Sequence, residues 1–190
     1  MPKRTTTRRI WILTAVGRDQ PGIVARVAKI LFELGCNLED SAMTRLGGEF
    51  AIMLLFSSPM KLDRQTLEQT FGPVARDLNL ALQVRTLTAA EVRAKPSGRP
   101  YQISVYGADH AGIVFRISEL LSRERVNITD VSTHRTSPAA GRGTKPLYLM
   151  LLEVELPRRL DASRFEERLR QLAKSLGVEV TVRSAEPVVL

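Results

Sequence analysis

A chain of 190 residues holds one large domain or two small ones, and its 44% apolar content is enough for a packed core. No apolar run reaches the roughly 20 residues a membrane-spanning helix needs, and Asp19 interrupts the segment after the basic start "MPKRTTTRR" too early for a secretory signal. The net charge of +8 points towards nucleic acid, but Lys3, Arg4, Arg8 and Arg9 supply half of it, and elsewhere basic and acidic residues alternate as on a solvated helix face ("RFEERLRQLAK", 164–174).

In chain order, "RIWILTAV" (9–16) reads as a strand. The turn "GRDQPGIV" (17–24) leads into a helix whose Ile23, Val27, Ile30, Leu31 and Leu34 recur at the period of a buried stripe. Gly35 is placed to end that helix with positive φ. Two strands follow, "NLEDSAMTRL" and "EFAIMLLFS", joined by the hairpin signal Gly47-Gly48. A second helix carries Leu67, Phe71, Val74 and Leu78, with Asp63 at its N-cap position, and Gly72-Pro73 predicts an interruption or kink. The strand "LALQVRT" closes the set, and "TAAEVRAKPSGR" (88–99) reads as a linker.

The same order then returns. At an offset of 90, nine of the 24 residues in 17–40 are identical to those in 107–130: Gly17, Asp19, Gly22, Ile23, Val24, Arg26, Leu31, Asn37 and Asp40 match Gly107, Asp109, Gly112, Ile113, Val114, Arg116, Leu121, Asn127 and Asp130. "YQISVYG", the helix stripe Ile113–Ile117–Leu121, "NITDVSTHR", "LYLMLLEVEL", a helix with Phe165, Leu169, Leu172 and Leu176 behind the cap Asp161, and "VEVTVRS" complete the copy. The chain therefore divides into a basic tail (1–8), a first domain (9–87), a linker (88–100), a second domain (101–184) and a C-terminal tail (185–190). Each domain is expected to be β-α-β-β-α-β, an α+β ferredoxin-like sandwich with two helices on one face of a four-stranded antiparallel sheet. Strands apolar at nearly every position predict that part of the second face or an edge is covered, by the sister domain or in a homodimer.

The repeated turn admits two accounts. In the first, Pro21 opens the helix with a fixed φ, Asp19 caps free N–H groups, and Gly22 allows close approach; no ligand is needed. In the second, the helix N-terminus seats a carboxylate, Asp19 or Asp109 receives an ammonium, and Asn37 or Asn127 meets the turn of a neighbouring domain.

The segments "GRDQPGIVARVAKILFELGCNLED" and "GADHAGIVFRISELLSRERVNITD" resemble ACT domains over about 9–87 and 101–184. A pair of them with no enzyme attached resembles the glycine cleavage system transcriptional repressor group. With a single cysteine a cytoplasmic chain is the default, and this resemblance implies a non-enzymatic regulator that binds a small amino-acid effector between domains and acts through a protein partner, such as a DNA-binding transcription regulator. It implicates Asp19, Gln20, Gly22 and Asn37, with Asp109, His110, Gly112 and Asn127; glycine is suggested by the group's name alone. The copies differ: Pro21 becomes Ala111 and Gln20 becomes His110, so the two sites need not be equivalent.

No cofactor is expected. His110 and His134 share no metal-ligand spacing with Cys36, and no nucleophile elbow, phosphate loop or dinucleotide fingerprint occurs. Lone Cys36 cannot form an internal disulfide and reads as a small hydrophobe. No helix-turn-helix pair is present, so direct nucleic-acid binding is not expected beyond salt-sensitive contacts of the basic tail. Two alternatives stay open: a protein-interaction module without ligand, and a nucleic-acid-binding protein that uses residues 1–9.

Overall fold

The computed structural model describes residues 8–92, 98–136 and 146–185. Lys3 and Arg4 of the basic tail, linker residues 93–97, the loop 137–145 of the second copy and residues 186–190 lie outside the described residues. Contacts divide the chain into two compact units, Met1–Ala94 and Lys95–Leu190.

The first unit runs β1 (Arg8–Arg18), α1 (Ile23–Glu33), β2 (Asn37–Leu46), β3 (Glu49–Pro59), α2 (Arg64–Asp77), β4 (Leu80–Thr86), followed by a single helical turn, α3 (Ala89–Val92). The second repeats it as β5 (Gly98–Ala108), α4 (Ile113–Arg123), β6 (Asn127–Arg135), β7 (Leu147–Pro157), α5 (Ala162–Ser175) and β8 (Val178–Ser184). Strand order is β2-β3-β1-β4 in one sheet and β6-β7-β5-β8 in the other, with every pairing antiparallel. Each unit is thus an α+β, ferredoxin-like βαββαβ sandwich.

Alternation along the central strands builds each core. Trp11, Leu13 and Ala15 of β1 and Phe50, Ile52, Leu54 and Phe56 of β3 are buried against Ile23, Val27, Ile30 and Leu31 of α1 and Leu67 and Phe71 of α2. Burying each large side chain contributes about 1.5–3 kcal/mol. The second core repeats the scheme with several side chains changed, and on the second helix two swap places: α2 presents Leu67 then Phe71, whereas α5 presents Phe165 then Leu169. Both sheets carry a bulge at the same place, between Leu38 and Asp40 and between Ile128 and Asp130. A further repeated clamp holds the strand starts: Arg9 lies 5.7 Å from the Trp11 ring centre and donates to the Leu62 carbonyl, and Arg99 lies 5.9 Å from the Tyr101 ring centre and donates to the Leu160 carbonyl.

Four local expectations need correcting. α2 is continuous through Pro73 rather than broken there: Leu67 and Phe71 before it are buried in the core, and Val74 and Leu78 after it pack against the same core. α1 begins at Ile23, so Pro21 lies in the preceding turn and not at the first helical position. Gly22 does not mediate close approach: a Cβ there would meet nothing within 4 Å, and its φ of +95° is what calls for glycine. Gly98, predicted as linker, already belongs to β5; a Cβ on it would lie 2.6 Å from the Leu156 carbonyl oxygen.

Candidate functional site

The repeated turn is built identically in both copies. The Asp19 N–H donates to the Gly48 carbonyl at 2.9 Å, and the Asp109 N–H donates to the Pro146 carbonyl at 2.9 Å, so each turn is pinned to the start of the neighbouring central strand. Gly22 and Gly112 then turn the chain into the helix at φ of +95° and +98°. Neither helix receives a side-chain cap. The first intrahelical bond of α1 runs from the Arg26 N–H to the Gly22 carbonyl, leaving the N–H groups of Ile23, Val24 and Ala25 without an intrahelical acceptor. Together with the helix dipole they form a partial positive charge.

Asp19 does not cap the helix as the ligand-free account expects. Its Oδ2 lies 3.3 Å from Arg45 Nη1 on β2, and Asp109 Oδ2 lies 2.7 Å from Arg135 Nε on β6. The basic partners were not among the residues singled out from the sequence. Their signal was there: Arg45 and Arg135 are identical at the same offset of 90, five positions beyond residue 40. Gln20 and His110 reach the other way. Gln20 Nε2 donates to the Leu78 carbonyl at 2.9 Å, and His110 Nε2 lies 2.6 Å from the Leu176 carbonyl, so each ties its turn to the end of the second helix of its own unit. His110 Nδ1 lies 3.1 Å from the Ala111 carbonyl.

In the first unit these groups line a cavity of about 740 Å³. Asp19, Gln20 and Arg45 form its polar side, Gly22 and the first turn of α1 its rim, and Met43 and Phe50 much of its apolar wall. That volume falls in the range of about 300–1,000 Å³ typical of small-molecule sites.

Asn37 and Asn127 stand elsewhere. Asn37 is opposite Ser57, whereas the turn end of the sheet pairs Gly17 with Phe50; seven residues of strand place them roughly 23 Å apart. Asn37 Nδ2 donates to Glu39 Oε1 at 3.1 Å. Asn127 lines a separate cavity of about 430 Å³ with Arg125, Ser118 and Ser122. Within a domain, therefore, the asparagines do not share the turn site. Cys36 is half-buried, and burial pushes its thiol up, with Arg8 opposing, so it lacks the thiolate character of a nucleophile. Among the described residues no group of three His, Cys, Asp or Glu side chains is placed to hold a metal, and no helix is long and apolar enough to cross a membrane.

Residues 9–85 and 99–183 each match the ACT domain. The chain belongs to the ACT-domain family. It is 27% identical over 171 residues, covering 90% of this chain and 87% of the other, to the glycine cleavage system transcriptional repressor of Escherichia coli (strain K12). A UPF0237 protein of Streptococcus pneumoniae serotype 4 is 35% identical over 80 residues, which span 42% of this chain and 91% of that one. The crystal structure of an unknown protein from Galdieria sulphuraria superimposes with a TM-score of 0.80 at 24% identity, covering 95% of this chain and 100% of the other. Both ACT domains of this chain thus share one turn construction, with an uncapped first helix facing an Asp–Arg pair.

Proposed function

We propose that this chain is a non-enzymatic regulatory protein that binds a small amino-acid effector at the turn preceding α1. Binding would change its grip on a protein partner in the transcriptional control of amino-acid metabolism. The observation that carries this reading is the cavity of about 740 Å³ in which an Asp carboxylate, an Arg guanidinium and an uncapped helix N-terminus converge. A zwitterion has the matching charges. Its carboxylate suits Arg45 and the free N–H groups of α1, and its ammonium suits Asp19. The Asp19–Arg45 pair is solvent-exposed and worth only ~0–1 kcal/mol, so exchanging it for two contacts to a ligand costs little. The similarity to a glycine cleavage system transcriptional repressor over 90% of the chain supports the regulatory half of the reading. Action through a partner requires the effector to bind two states with different affinity. β2, an edge strand exposed along all ten residues, offers a surface to a second copy or another protein, and a homodimer is expected.

The completeness of the Asp19–Arg45 pair without a ligand favours a second reading, a protein-interaction module whose turn is structural. Thermal melts against the twenty amino acids at about 10 mM separate the two. Saturation at 100 times Kd adds about 2.7 kcal/mol, which for a chain of this size is a shift of several degrees. A shift for one or a few amino acids supports the effector reading, and no shift for any of them supports the module.

A further inference from the structure

The cavity at the first turn has two unlike sides. Asp19 and Arg45 complement the head of an amino acid, yet most of the surface beyond them is apolar, from Ile23, Val24, Met43 and Phe50. Phe50 and Ile23 are buried at 3% and 2% exposure and form a fixed floor; Val24 and Met43 are 48% and 61% exposed and flank the opening. Half-exposed branched and sulfur-bearing side chains around a concave site gain from being covered by an apolar group. Glycine has five non-hydrogen atoms and no side chain. It would satisfy the polar groups, leave the apolar wall wet, and fill a small part of about 740 Å³.

We infer that the turn site of the first domain takes an amino acid with a medium-sized apolar side chain, such as leucine or methionine, in preference to glycine. This rests on the effector reading above and deepens it by assigning the side-chain class. The polar groups fix the orientation of the head, and the side chain then lies along Met43 towards Phe50. Covering one aliphatic side chain against such a wall is worth at least about tenfold in affinity. Met43 contributes through its side chain alone, from an edge strand where substitution leaves the core intact.

Calorimetric titration of the full chain with L-leucine, L-methionine and glycine tests this. The expected result is that leucine or methionine binds at least about tenfold more tightly than glycine. Met43→Ser should then cut that preference several-fold, lowering leucine and methionine affinity more than glycine affinity. Glycine binding as tightly as leucine and methionine, or more tightly, overturns the inference while the effector reading stands. Equal loss of leucine and glycine binding in Met43→Ser also overturns it, since Met43 would then support the fold of the site and not its selectivity. Failure of all three ligands, and of the other amino acids at 10 mM, removes the effector reading and the inference with it.

Discussion

The two ACT domains share a backbone and differ where a ligand would lie. Position 43 is Met in the first and Thr133 in the second; Phe50 becomes Tyr148, paired opposite Gly107 as Phe50 is opposite Gly17; and Ala25 becomes Phe115. The Tyr148 hydroxyl is buried and lacks a partner of full hydrogen-bonding geometry. Burial first, and then the Asp109 carboxylate, push it above the ordinary phenol range, with the Thr133 hydroxyl opposing. The Asp109–Arg135 pair is also closer, at 2.7 Å against 3.3 Å, and its carboxylate is less exposed. The same scaffold thus carries Met43, Phe50 and Ala25 around the first turn and Thr133, Tyr148 and Phe115 around the second.

The helix ends show the same division of labour. After the first helix of each domain the chain must enter the left-handed region: Gly35 does so at φ +66°, Arg125 at φ +56°. After the second helix the roles reverse, with Asn79 at φ +51° and Gly177 at φ +64°. Each domain places glycine at one of the two positions, and of the two others Arg125 is the costlier, since asparagine tolerates this geometry.

The largest expected effects test whether the two cores carry equal weight. Phe71→Ala should cost about 3–5 kcal/mol in urea unfolding followed by the fluorescence of Trp11, the single tryptophan, buried in the first core. Phe165→Ala should cost a similar amount, read by circular dichroism; a much smaller value for either would mean its core can collapse around the gap. Next come the glycines that let the final strand of each sheet approach the first. Gly17→Ala places a Cβ 2.6 Å from the Asn79 carbonyl oxygen and should cost about 1–3 kcal/mol. Gly107→Ala meets the Val178 Cγ1 at 2.8 Å and its Cα at 3.0 Å, a looser approach than the 2.6 Å at Gly17, so its measured cost should be the smaller of the two. Equal costs would show that the strand pair moves as a unit.

Smaller effects follow from the helix ends and the orphaned phenol. Arg125→Gly should stabilise by about 1 kcal/mol, while Asn79→Gly should gain less, because asparagine tolerates the left-handed region. Tyr148→Phe, which removes a buried hydroxyl without a partner, should be neutral or stabilising by about 1 kcal/mol, read as a small rise in Tm. A clear loss would mean that the hydroxyl is bonded in solution.

Much of this was legible in the sequence because it is local or repeated. The 90-residue offset gave the tandem, the periodicities gave the element order, and Asp63 and Asp161 cap their helices, accepting from the Thr66 N–H and from the Ser163 and Arg164 N–H groups. The turn site was legible in part. Asp19 stands out in the sequence with capping and ligand binding both open; its partner Arg45 is not legible there, because it approaches from 26 residues away across the β2–β3 hairpin and no spacing rule records such a pair. Gly22 was found for the wrong reason, because positive φ and close approach select glycine alike. Pro73 misled because local propensity is outweighed by two buried side chains on the same helix. The apolar wall was invisible for a different reason: Met43 and Phe50 lie on separate strands, and only the register brings both beside the start of α1.

The central proposal is that the first turn seats an amino acid. Asp19→Ala and Asp109→Ala each remove one ion pair whose arginine is exposed and whose carboxylate is partly exposed, so either should change stability by only about 1 kcal/mol. The decisive measurement is the melting shift produced by about 10 mM of the best-binding amino acid, chosen from the affinity ceiling of so small a ligand, in these two variants and the parent chain. The account predicts that the shift disappears in Asp19→Ala and survives in Asp109→Ala. A shift that survives in Asp19→Ala, or is lost only in Asp109→Ala, would contradict it.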